Sequence, residues 1–214
     1  KRLLEYKELW VPSLWQKELV TQQGYPSDRV KVVPSGVEPD CIPRSNIISP
    51  DDGVFTFCLV GAWDHRKSTD EILQCFVELF GNDPSVQLIV SIDSLYGLPT
   101  EERLKKMGLG DINNIIVKSF PDRKQYIEIL QTSHAFLSCS RGEGWNIPLM
   151  EAMACGTPSV YSDGSGQIEF AEGKGIPVRI LGKEAAHAGH PGHYVSPDFR
   201  HLKNKMQHCI DNYR

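Results

Sequence analysis

Along almost the whole chain, short runs of β-branched and aromatic residues alternate with runs whose apolar residues recur at helical spacing. No other feature restricts the fold as much, because strand–helix–strand repeats close most readily as a mostly parallel sheet with helices on both faces. The strand runs are residues 8–11, 30–33, 55–60, 86–92, 115–117, 135–138 and 158–161. Several are nearly continuous in apolar character, as strands covered on both faces must be. Between them, Ile72, Leu73, Phe76, Val77 and Phe80 share a helical face. So do Tyr126, Ile127 and Leu130, and, after Pro148, Leu149, Met150, Met153 and Ala154. A last helix carries the stripe Phe199, Leu202, Met206, Cys209 or Ile210, and Tyr213. Two stretches read as irregular: residues 38–53, a proline-rich surface connection, and residues 183–197, a long loop.

With 214 residues, 40% of them hydrophobic, the chain is long enough to bury one substantial core, and residues 1–214 are read as one domain. A formal net charge of -4 leaves no broad basic surface, which disfavours nucleic acid as a partner and makes any phosphate chemistry local. The six cysteines are scattered, without a C-x-x-C pair, and fit a reducing, cytoplasmic setting. No apolar run approaches about 18 residues, so neither a membrane span nor a signal peptide is expected. The chain opens at Lys1 on a helix-like stretch without a cap, as a piece of a longer protein would.

Open parallel sheets bind ligands at the carboxyl ends of their strands, and two segments qualify. In CLVGAWDHRKSTDEIL a strand ends at Val60, Gly61 permits a tight turn, and Arg66 and Lys67 precede a helix starting near Ser68 or Thr69. Such a turn offers backbone N–H groups, a positive helix end and two cations to a phosphate; it reads equally as a capped loop with solvated cations. In AFLSCSRGEGWNIPLMEAMACG a strand feeds a glycine-flanked turn holding Glu143, and Glu151 lies about one turn into the helix that follows, closed by Gly156. A carboxylate accepts two hydrogen bonds well, so Glu151 suits vicinal hydroxyls of a ribose and Glu143 suits those of a sugar. Each also has a plainer reading: a dipole-favoured glutamate of a first turn, and an exposed turn residue.

EGWNIPLMEAMACGTPSV resembles the E-x7-E signature of retaining, nucleotide-sugar-dependent glycosyltransferases of GT-B architecture, the family-4 or group 1 class. VKVVPSGVEPD is similar to that family's interdomain segment, LVGAWDHRKSTDEIL to its phosphate loop, and SDGSGQIEF to its G-G-x-x-E segment. The resemblance implies a Rossmann-like doubly wound parallel sheet, the C-terminal, donor-binding half of a GT-B fold, without the N-terminal acceptor-binding domain. It implies a UDP-, GDP- or ADP-sugar as donor, a glycan or lipid acceptor in polysaccharide biosynthesis, and neither cofactor nor metal. Contact with the cytoplasmic face of a membrane would come through the missing half. Lys67 matches the lysine on the donor diphosphate, Glu151 the ribose glutamate and Glu143 the glutamate near the donor sugar. Gly61, Gly144, Trp145, Asn146 and Ile147 line the donor, and Phe120 flanks the base.

The arginine usual after the first glycine of the phosphate loop is Ala62, and Arg66 is the residue expected to replace it. Trp145 and Asn146 stand where Phe-Gly is usual and are expected to alter which sugar fits. His187, His190 and His193 invite a zinc reading, but the intervening glycines and proline deny them a rigid face, and a flexible loop is expected. Competing readings of the same scaffold are a non-catalytic nucleotide-sugar-binding or interaction module, and an epimerase or phosphorylase.

Overall fold

In the computed structural model, residues 2–43, 53–93, 97–119, 121–186 and 192–213 are described. Phe120, His187, His190 and the Asp51–Asp52 pair lie outside the described residues. Six strands form one parallel sheet: β3 (Phe55–Val60), β4 (Val86–Ser91), β5 (Ile115–Val117), β6 (Ala135–Ser138), β7 (Ser159–Ser162) and β8 (Ile176–Val178). Their spatial order is β5-β4-β3-β6-β7-β8. The chain therefore builds outward from β3 in one direction, then returns to β3's other side and builds the opposite way. The reversal falls between β3 and β6.

Alternation along the strands explains the two layers of helices. Phe55, Phe57 and Leu59 point into a cluster completed by α2 (Thr69–Phe80) and α7 (Phe199–Asn212), with Ile72, Phe76, Leu202 and Met206 fully buried. Cys58, Phe136 and Tyr161 point the other way, into a second cluster under α4 (Arg123–Thr132), α5 (Ile147–Ala154) and α6 (Ile168–Ala171). α5 ends in a Schellman turn: Gly156, at φ 77, donates to Met153 O, and Thr157 donates to Ala152 O. A further short helix, α3 (Thr100–Lys106), follows β4.

Three features differ from the sequence expectation. β1 (Leu9–Val11) and β2 (Val30–Val32) do not join the large sheet; they pair with each other, in parallel, around α1 (Leu14–Gln22) and a small cluster of Val11, Tyr25 and Val30. The opening stretch is a single 3-10 turn, Arg2–Glu5. The segment expected to be a long loop instead contains an antiparallel pair, β9 (Ile180–Ala185) with β10 (His193–Pro197), carrying a bulge between Ser196 and Pro197. β9 has almost no buried residue and so no apolar alternation to betray it.

All six cysteines are buried and unbridged. Burial pushes the Cys75 thiol up to about 11 and those of Cys155 and Cys209 up to about 12, and raises that of Cys139 further. An unfolded thiol ionises near about 8.5. The stability held by the folded, protonated thiols is therefore complete below that pH and is lost as pH rises toward the folded values, at up to about 1.4 kcal/mol per pH unit for each. Calorimetric melting under reducing conditions should show a midpoint that falls between about pH 8 and 10. A flat midpoint across that range would contradict the assignment.

Candidate functional site

A doubly wound sheet opens a crevice where the strand order reverses, at the carboxyl ends of the diverging strands. Here that point lies between the segment after β3, residues 61–68, and the turn after β6, residues 139–146. Gly61 continues the sheet by donating to Ser91 O at 3.0 Å, at a φ of 137 that only glycine adopts freely. A Cβ there would touch Lys67 Cε at 3.7 Å, so the strand end lies beneath the lysine stem.

Glu143 is buried, at 8% exposure, which removes the exposed-turn reading. Its Oε1 receives Lys67 Nζ at 2.6 Å, Ser140 Oγ at 2.7 Å and Arg66 Nη1 at 2.9 Å. Arg66 also donates from Nη1 to Gly142 O at 3.0 Å. Ala62 is exposed and offers no cation, whereas Arg66 delivers its guanidinium to the carboxylate that also holds Lys67. The structure thus brings Arg66, Lys67 and Glu143 to one point, two positive charges around one negative.

Backbone geometry at this turn depends on the neighbouring strand and helix. Glu143 N donates to Ser165 Oγ at 3.1 Å, and Gly166 N donates to Glu143 O at 2.9 Å. Asn146 caps α5 with φ 76, a left-handed conformation that glycine adopts freely and asparagine tolerates better than most residues. Its Nδ2 donates to Ser138 Oγ at 2.8 Å and Gln167 Oε1 at 2.6 Å, while Trp145 packs on Phe170 at 5.0 Å and donates from Nε1 to Met150 Sδ. Both side chains make contacts within the protein. Ile147, about half exposed, begins α5.

Glu151 is also buried, at 5% exposure, and is not a solvated dipole glutamate. Its Oε1 receives Arg123 Nη1 at 2.8 Å and its Oε2 receives the Tyr126 hydroxyl at 2.5 Å. Arg123 reaches on to Asp40 with two hydrogen bonds, 2.9 and 2.7 Å, tying the 33–43 connection to α4 and α5. Burial first, and then the bond to Glu151, hold the Tyr126 phenol well above its ordinary range; the bond to Asp40 raises Arg123 and keeps Asp40 below the usual carboxylate range. Arg123 and Tyr126 were missed in the sequence because they lie 28 and 25 residues from Glu151. Only tertiary placement joins them.

The small N-terminal unit also reaches this place. Trp15 N donates to Glu169 Oε1 at 2.9 Å, and a Cβ on Gly144 would lie 2.8 Å from Gln16 Nε2. Among the described residues no cluster of His, Cys, Asp and Glu suits a metal ion, and no helix is long and apolar enough to cross a membrane.

This fold has counterparts among solved structures. Over 96% of this chain and 54% of its own length, Anabaena Alr3699/HepE, solved with UDP and glucose, superimposes with a TM-score of 0.72 at 18% identity. The fold is that of the C-terminal domain of GT-B glycosyltransferases. The family described as Glycosyl transferases group 1 matches residues 44–176, and the chain belongs to it. Putative glycosyltransferase 48 of a Sulfolobus islandicus filamentous virus is 28% identical over 48% of this chain and 34% of its own length. The GDP-mannose:cellobiosyl-diphosphopolyprenol alpha-mannosyltransferase of Xanthomonas campestris is 25% identical over 63% of this chain and 35% of its own. The chain therefore spans about a third of these curated relatives and about half of the solved one.

Proposed function

We propose that this chain is the donor-binding part of a retaining, metal-independent glycosyltransferase that moves a sugar from a nucleoside diphosphate to a glycan, lipid or other acceptor. The observation that carries the reading is the convergence of Arg66 and Lys67 on buried Glu143 at the switch point. Two cations held there supply the positive charge that a departing nucleoside diphosphate requires as charge develops on its oxygens. That is the role a metal would otherwise fill. Glu143 orients both cations and faces the transferred sugar; Glu151, still able to accept further hydrogen bonds, takes the ribose hydroxyls. Backbone of Gly144 to Ile147 lines the sugar and phosphates. The buried free thiols suit a cytoplasmic setting. Acceptor contacts come from an N-terminal domain, and transfer by this part alone is negligible, because a cleft needs both walls to orient its two substrates.

Calorimetric titration with UDP, GDP and ADP tests this. One of the three should bind in preference, and Glu151→Ala should weaken it at least about 10-fold, the loss of hydrogen bonds to a charged acceptor. The fold should survive, since Arg123, an exposed side chain, loses its bond to Glu151 but keeps its bidentate partner Asp40, and the Tyr126 hydroxyl loses its acceptor at a cost of about 1–3 kcal/mol. Unchanged affinity in Glu151→Ala would remove the ribose role. Binding without turnover in a chain carrying both domains would favour the non-catalytic module.

A further inference from the structure

The β9–β10 hairpin and Arg141 have no part in the reading above, yet they contact the residues on either side of Lys67. Arg141 opens the turn after β6 with a side chain only 5% exposed. Its Nε donates to His65 O at 3.0 Å, its Nη1 to Glu184 Oε1 on β9 at 2.9 Å, and its Nη2 to Glu71 Oε1 on α2. The guanidinium lies 5.3 Å from the Phe199 ring centre at the start of α7. Its main chain is tied as well: Arg141 N donates to Arg66 O at 2.7 Å, and Val195 N, on β10, donates to Arg141 O at 2.8 Å. Two consecutive carbonyls of the 61–68 segment, His65 and Arg66, thus end on one residue. The hairpin adds its own contacts, with Glu184 Oε1 3.4 Å from His65 Nε2 and the Tyr194 ring against Gly142.

We propose that Arg141, held by Glu184 of the hairpin and Glu71 of α2, is a positioning residue that straps the 61–68 segment into the geometry that presents Arg66 and Lys67. The segment needs such a hold. It enters α2 through Ser68 in a left-handed conformation, φ 55, which a residue with a Cβ keeps only when its surroundings over-determine it. Arginine suits the task because its planar fork of five donors reaches two carboxylates and a carbonyl at once; a lysine ammonium cannot span that set. The functional half of this inference rests on the proposed donor site, whereas the mechanical half does not.

The experiment therefore has two arms on the same protein: amide hydrogen exchange without ligand, and titration with UDP, GDP and ADP and with the matching nucleosides. In Arg141→Gln and Arg141→Lys, amides of residues 62–68 should exchange about tenfold faster or more while those of β4 are unchanged. Glu184→Gln should show a smaller change of the same kind. Affinity for the preferred diphosphate should fall about tenfold or more, with nucleoside affinity unchanged. A purely structural arginine would lower the melting midpoint while preserving both protection at 62–68 and the diphosphate-to-nucleoside ratio, and that result overturns the proposal. If Arg141→Gln fails to fold, Arg141→Lys and Glu184→Gln give the same decision. If the unaltered chain binds none of the three diphosphates, the donor-site reading falls, and the exchange arm alone upholds or overturns the strap.

Discussion

Replacing Lys67 by alanine is expected to cut affinity for the preferred nucleoside diphosphate about 10- to 150-fold, while the corresponding nucleoside binds as before. The side chain is 14% exposed, so its ammonium acts where solvent screens little, and a charge-assisted bond to phosphate there contributes about 1.5–3 kcal/mol. Where transfer is assayed, turnover should fall about 10²–10³-fold, the usual loss when one stabiliser of developing charge is removed. Stability should change little. Glu143 keeps Arg66 at 2.9 Å and Ser140 at 2.7 Å, so the deletion leaves no orphaned buried charge. Near-normal diphosphate affinity in Lys67→Ala would refute the role. A melting midpoint lowered by more than a few degrees would instead assign Lys67 to the fold.

The central sheet was legible because its strands are short apolar runs covered on both faces. Residues 55–60, 115–117 and 135–138 match β3, β5 and β6 in both bounds, and β3 and β6 are almost wholly buried. What escaped notice has weak or absent patterning. β8 is three residues with Pro177 at its centre, acceptable only because β8 is the sheet's edge. β9 is held by pairing with β10 and by Arg141, not by an apolar face. α1 buries no residue, although its capping Ser13 was a readable start signal. At the site, Arg66, Lys67 and the two glutamates were singled out through the family resemblance, since their spacing alone left the plainer readings open. The contacts were not legible: Arg66 and Lys67 lie 77 and 76 residues before Glu143, and Arg141 meets Glu71 and Glu184 at separations of 70 and 43. Such contacts follow from strand order, which local patterns do not encode.

The same strand order makes Gly166 the most sensitive small residue of the site, and Gly166→Ala should damage it severely. An alanine Cβ at 166 would lie 2.1 Å from Gly144 O and 2.8 Å from Ser13 Oγ. The first obstacle is main chain within the very turn that carries Glu143, and the second is the buried N-cap of α1, so neither yields as a flexible side-chain tip would. Relief requires the 143–146 turn to move away, which would break Gly166 N to Glu143 O, 2.9 Å, and pull Glu143 from Arg66 and Lys67. Overpacking of this kind costs about 1–3 kcal/mol, and at a main-chain contact the upper end or more is expected. For a chain of this size that lowers the melting midpoint by about 6–12 °C. Diphosphate binding should fall by more than the stability loss alone explains, because the shift is concentrated where the cations are held. Gly182→Ala is the matched control: nothing lies within 4 Å of a Cβ there, and its midpoint and affinity should equal those of the unaltered chain. If Gly166→Ala melted and bound like Gly182→Ala, the close approach of the 164–167 segment to the Glu143 turn would have to be abandoned, and with it the account of how that carboxylate is aimed.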